Sequence, residues 1–502
     1  MKHLRMWSLI LWGAGAACTL SAAAETPRLA SAFGHHMVLQ RDAPVPVWGT
    51  AEPGSRVEVL FANRRTQTTA DAQGRWMARI GPLAASDQGS TLSVRDAKGE
   101  GEEITDVLVG DVWLCSGQSN MRWTVAKSEG AAEMIASADI PTLRLLNWRD
   151  YAKQPVGLDP SGYFKGTWAC ASPEVVRDFS AVAFSFGREL TRHSKVPVGL
   201  ILNAVGGSPM ISWLPESVVA SRPEYAVPEG ELPFMTPALR GWVLMAIRRD
   251  AKVTAATTAA NCPSHPYQPS YLYHAGIEPL RPMSLKGVIW YQGESDAEHE
   301  DPLVASLLLR DLVHSWRSVF QSPRLPFLMV QLPRIESPDR VHWPIFREVQ
   351  RRAMHDIPGV YAAVTMDMGV YGSNVHPPRK IPVGERLARI ARNRVYGERV
   401  PAFGPDVASA HAEGSSMRVT FEHADGLRSS DDAPLRGFEL AGRDGVFQPA
   451  HAVIEGATVI VSTERVAQPV SVRYGWHMNA DLNLANRDGL PAYPFAASLR
   501  QR

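Results

Sequence analysis

Residues 114–121 read Leu-Cys-Ser-Gly-Gln-Ser-Asn-Met, a polar turn directly after the apolar run Val107-Leu108-Val109-Gly110-Asp111-Val112-Trp113. Ser119, inside that turn, is a candidate nucleophile. A serine hydroxyl attacks only when a base takes its proton, and histidine titrates in the right range. His376, in Asn374-Val375-His376-Pro377, is the candidate base. Backbone N–H groups at glycine turns can hold the negative oxygen that such an attack creates. Two turns could do so, Gly206-Gly207-Ser208 and Gly293-Glu294-Ser295-Asp296. Together these residues are what serine-dependent acyl transfer requires. Each also has a plainer reading. Ser119 could cap a helix beginning near Met121, and Gly206-Gly207 could be only a tight turn. Glu294 and Asp296 could be charges favoured at a helix start. His376 is one of 15 histidines.

The elements that must position these residues are legible. Strand-like apolar runs occur at Val112–Cys115, Leu143–Leu146, Val198–Leu202, Gly287–Tyr291, Phe327–Gln331 and Val360–Met366. Helical patterns fall between several of them, at Ala181–His193, Leu303–Val319, Ile345–Met354 and Val383–Val395. Strand, helix, strand in this order predicts an α/β domain with a mostly parallel sheet over 110–399. In such sheets sites gather beyond the carboxyl ends of the strands. The serine turn, both glycine turns, Asp367 and His376 all follow strands there. Residues 25–109 carry short alternating runs and frequent turn signals, which predict a β-sandwich domain. Residues 400–502 return to β texture. The stretch from Pro215 to Pro269, with eight prolines, reads as an irregular insertion in the region 215–270 that could shape a cleft.

At 502 residues the chain predicts several domains, and 45% hydrophobic with 21% charged residues is ordinary globular composition. No run of five basic residues appears, so a nucleic-acid partner is not expected. Residues 1–24 combine a basic head (Lys2, Arg5), an apolar stretch and small residues before Glu25. That pattern predicts a cleavable signal peptide, a secreted or periplasmic protein, and no stable membrane insertion. Removing Lys2 and Arg5 leaves 50 basic against 51 acidic residues. Cys115, Cys170 and Cys262 allow at most one disulfide, and their spacing resembles no zinc site. The glycine turns lack phosphate-cradle spacing, so no nucleotide cofactor is expected, and the acyl-transfer chemistry read above calls for no metal.

These motifs have a family. Gly110-Asp111-Val112-Trp113-Leu114-Cys115-Ser116-Gly117-Gln118-Ser119-Asn120-Met121 and Lys286-Gly287-Val288-Ile289-Trp290-Tyr291-Gln292-Gly293-Glu294-Ser295 are its long, specific segments. Pro197–Ile201 leading into Gly206-Gly207-Ser208, and His376-Pro377 followed by Val383–Ala388, complete the set. With them the chain resembles the sialate O-acetylesterase family, a branch of the SGNH-type serine esterases. The likeness also takes in Met37–Arg41 and Asp71–Trp76 near the start, and Val472–Trp476 and Gly489–Phe495 near the end. The resemblance implies that Ser119 is the nucleophile and His376 the general base. It implies an oxyanion hole of the Ser119 N–H, a glycine of Gly206-Gly207, and Ser295 or a neighbouring N–H. It also implies an O-acetylated sugar as substrate.

One departure stands out. The family usually carries an aspartate two or three residues before the histidine, where this chain has Asn374 and Ser373. Three readings stay open: a backbone carbonyl orients His376, Glu294 or Asp367 reaches over, or the chain only binds acetylated sugar. The substrate is open too, between acetylated sialic acid and acetylated xylan or another polysaccharide. Trp113, Trp123, Trp213 and Trp290 are candidates for sugar stacking or for burial in the core, and Arg122 for meeting a sialate carboxylate or for a solvated surface position. A lipase-type elbow, Gly-x-Ser-x-Gly, is not what surrounds Ser119. Oligomeric state is not legible.

Overall fold

The computed structural model describes residues 26–499, apart from 151–155, 240, 300, 338–339, 371 and 373. The expected signal peptide lies outside the described residues. The elements that carry the site are β1 (Gly101–Gly117), α1 (Ser119–Arg122), β2 (Ile140–Asn147), β3 (Trp168–Ala171), α2 (Ala181–Ser194) and β4 (Val198–Ala204). They continue with β5 (Gly287–Tyr291), α3 (Pro302–Val319), β6 (Phe327–Val330), α4 (Trp343–Asp356), β7 (Val360–Ala363) and α5 (Ile381–Arg394).

The central sheet runs β3-β2-β4-β1-β5-β6-β7. Every pair is parallel except β3 with β2 at the edge. Alternate residues of one strand feed two cores, as the pleat demands. Val112 and Leu114 of β1 face a core with Leu308 and Trp316 of α3, while Trp113 and Cys115 face one with Phe186 of α2 and Leu387 of α5. This is the SGNH-type α/β architecture expected from the alternation of strands and helices.

The expected boundary at residue 110 falls inside a strand. The first half of β1 pairs with Ser86–Arg95 and Val38–Gln40 of the N-terminal region, and its second half with β4 and β5. A strand of 17 residues thus serves two sheets without a linker, and its residues 107–117 are buried without interruption. Beyond residue 400, two four-stranded antiparallel sheets enclose a separate core around Val419, Leu440 and Phe495. Cys115, Cys170 and Cys262 are all free thiols. Among the described residues, no helix is long and apolar enough to cross a membrane.

Candidate active site

β1, at the centre of the sheet, has β4 on one side and β5 on the other, and chain order reverses direction about it. Such a switch point opens a crevice beyond the strand ends. Ser119 stands there, two residues past the end of β1. It is the first residue of α1, not its cap, and Gln118 before it makes no side-chain cap bond. The Ser119 hydroxyl lies 2.8 Å from His376 Nε2. Burial, helped by the Lys380 and Lys127 ammonium groups, holds the imidazole below its ordinary value of 6.5. A neutral ring can accept the hydroxyl proton.

Gly206 follows β4, and a Cβ added to it would lie 3.6 Å from the Ser119 Cβ. Among the described residues, the N–H groups of Ser119 and Gly206 have no protein acceptor. Two unused donors beside a serine hydroxyl are what an oxyanion needs. Gly207, at φ +74°, shapes the turn instead, and the Tyr267 hydroxyl and Trp242 ring occupy the space of its missing side chain. Tyr267 OH donates to the Gly206 carbonyl at 2.7 Å. Ser295 does not match its expected oxyanion role. Its hydroxyl donates to the Gly207 carbonyl at 3.0 Å and its N–H to Gln118 Oε1 at 3.4 Å. Both donors brace the two turns, so neither is left for a substrate oxygen. Asp296 braces them as well, accepting from Met210 N–H at 3.1 Å and from Gln292 Nε2. Burial raises its carboxyl to about 7.

Neither carboxylate proposed to orient His376 does so. Asp367 is held by both arms of Arg386, at 2.7 and 2.6 Å. Glu294 is buried, and its Oε1 accepts from Asn120 Nδ2. Among the described residues no carboxylate bonds the His376 ring. The Asn374 side chain accepts the His376 backbone N–H at 2.9 Å, and Asn120 Nδ2 donates to the Val375 carbonyl at 2.9 Å. Asn120 Oδ1 in turn accepts from Lys380 Nζ at 2.5 Å. Burial brings the Lys380 ammonium down to about 7, against the attraction of Glu294. Asn120 thus joins a buried acid, a buried base and the histidine loop. Sequence reasoning passed over Asn120 and Lys380: the asparagine had a signal, being next to Ser119, and the lysine had none.

A cavity of about 410 Å³ opens on Ser119, His376 and Gly206, lined also by Arg122, Trp123, Lys127, Trp148 and Asp178. Of the four candidate tryptophans, Trp123 lines it. Trp113, Trp213 and Trp290 are fully buried in the cores. Away from the site, His36, Asp106 and Cys170 bring ligand atoms within 4.8 Å of one another. Arg144 grips Asp106 at 2.6 and 3.2 Å, so that carboxylate already holds a cation.

This geometry has relatives. Residues 109–226 and 258–393 match the family model described as carbohydrate esterase, sialic acid-specific acetylesterase. The unmatched gap falls inside the proline-rich insertion. Sialate O-acetylesterase of Mus musculus is 26% identical over 535 residues, covering 95% of each chain. The Homo sapiens enzyme of that name is 29% identical over 427 residues, covering 75% of this chain and 73% of its own. A solved carbohydrate acetylesterase from Xanthomonas citri is 32% identical, with a TM-score of 0.79, over 94% of this chain and 99% of its own. The chain belongs to the sialic acid-specific acetylesterase family of carbohydrate esterases.

Proposed function

We propose that this protein is a serine esterase that removes O-acetyl groups from sugars, with O-acetylated sialic acid as its substrate. The observation that carries the reading is the 2.8 Å approach of Ser119 Oγ to His376 Nε2 at the floor of an open cavity. His376 takes the Ser119 proton as Oγ attacks the acetyl carbonyl, and the Ser119 and Gly206 N–H groups hold the oxyanion. The sugar oxygen leaves with that proton. Water, deprotonated by the same imidazole, then hydrolyses the acetyl-serine and releases acetate. No step needs a metal or cofactor. His376 acts in a dyad, with its loop held by Asn374 and Asn120 in place of a carboxylate. Arg122 and Lys127 line the cavity and suit a substrate carboxylate. Residues 1–24 direct export and are removed.

Acetate release from 9-O-acetyl sialic acid, compared with acetylated xylan, is the test of substrate. A clear preference for xylan overturns the sialate reading and favours a polysaccharide acetylesterase. Ser119→Ala and His376→Ala should each lower kcat on p-nitrophenyl acetate by about 10⁴-fold or more. Wild-type turnover no faster than Ser119→Ala would mean a binding protein.

A further inference from the structure

The departure before His376 removes the group that normally steadies the imidazole and the positive charge it gains. Something else must do both. Trp123 lies parallel to the His376 ring, with centroids 5.2 Å apart and planes 20° from one another. It sits four residues after Ser119, at the end of the short α1 that Ser119 begins. One short segment therefore delivers the nucleophile and a flat surface for its base. The indole is itself fixed, with Nε1 donating to the Lys127 carbonyl at 3.1 Å and the Trp123 carbonyl accepting from Ala181 N–H at 2.9 Å.

Resting on the Ser119–His376 reading above, we infer that Trp123 is a positioning residue that stands in for the absent carboxylate. Its face holds the plane of His376 and stabilises the imidazolium formed as Ser119 attacks. Electron density over an indole face attracts cations within about 6 Å of its centre. This ring already attracts two, Lys127 Nζ at 5.7 Å and Lys380 Nζ at 5.9 Å. The two ammonium groups nearest His376 oppose its protonation. Lys127 and Lys380 face it, Glu294 is joined to it only through Asn120, and Arg122 and Asp178 line the shared cavity. Among the described residues, the indole is the group in contact with the ring that favours the charged form. A face, unlike a carboxylate, accepts no hydrogen bond from Nδ1, so it orients the plane without selecting the tautomer. Ser119 selects it, because only an unprotonated Nε2 can accept its hydroxyl.

The test uses the full chain and p-nitrophenyl acetate, a probe too small to need the rest of the cavity. Trp123→Leu should lower kcat about 30-fold, equivalent to about 2 kcal/mol at about 1.36 kcal/mol per tenfold, with KM little changed. Trp123→Phe should recover most of that loss. Mono-, di- and trifluorotryptophan installed at position 123 keep the shape and drain the face of electron density. Stepwise falling kcat at constant melting temperature supports the inference. A flat series, or Trp123→Leu as fast as wild type, overturns it. Ser119→Ala in the same assay separates the two ideas. Turnover that survives it overturns the Ser119–His376 reading and this inference together, while a flat series with Ser119→Ala inactive overturns the inference alone.

Discussion

In the proposed mechanism, His376 is where local chemistry decides activity. Burial and two ammonium neighbours hold its pKa below the ordinary 6.5. A base whose pKa is lowered stays neutral to lower pH, so activity should persist into mildly acidic solution. The acid limb of kcat/KM, followed from about pH 4.5 to 8, is expected below 6.5. A limb at or above that value would point to a carboxylate partner after all. Restoring one tests the same point, since Asn374→Asp puts an acid two residues before His376, where the family carries one, and should move the limb upward if that acid reaches the ring. Single residue types in the sequence could not have given this answer. The missing aspartate was visible, but what replaces it depends on which side chains the fold gathers around the ring.

At the scale of elements, α1 is four residues long yet sets most of the site. Ser119 meets His376, Asn120 holds the Val375 carbonyl and joins Glu294 to Lys380, and Trp123, the residue that ends the helix, stacks on the His376 ring. Asn120→Ala should lower kcat about 100-fold, because a loosened histidine loop misplaces Nε2 by a fraction of an ångström. It should also cost about 2–4 kcal/mol of stability, since two buried charged groups lose their shared partner. Kinetics and thermal melting check the two parts. A normal kcat with only a lowered melting temperature would reduce Asn120 to a structural role. The strands and helices around α1 were legible, with α2 and α5 found within two residues of their ends. Apolar periodicity is a local signal, and these elements bury one clear face. The function of Asn120 was not, because hydrogen bonds to residues 294, 375 and 380 leave no periodic trace.

The whole molecule is held as one structure by elements that cross its expected boundaries. β1 belongs to both the N-terminal sheet and the central one. At the other end, the C-terminal region is docked by Arg347 of α4, a fully buried guanidinium. It donates to the carbonyls of Leu332, Pro333, His477 and Met478 at 2.7–3.1 Å. Tyr493 OH adds a bond to the Ala362 carbonyl at 2.5 Å, beneath β7 and the loop that leads to His376. Arg347→Met should therefore destabilise the protein by about 3–5 kcal/mol, by leaving several buried carbonyls without donors. The expected readouts are a lowered melting temperature and faster proteolytic release of the segment after residue 400. An unchanged melting temperature would mean that the C-terminal sheets dock through other contacts.

By itself the sequence determined what is local: the order of strands and helices, the carboxyl-end turns that collect reactive groups, and Ser119 and His376 as the pair to watch. The elements and turns follow from apolar periodicity and turn chemistry, and the pair from its place after those strands together with the family motifs, since His376 is one of 15 histidines. Only the tertiary structure decided that the pair meets across 257 positions, that Ser295 and Asp367 are engaged elsewhere, and that an indole faces the imidazole where an acid is missing. Contacts at such separation are set by how β1, β4, β5 and β7 order themselves in one sheet. That order is a property of the packed whole.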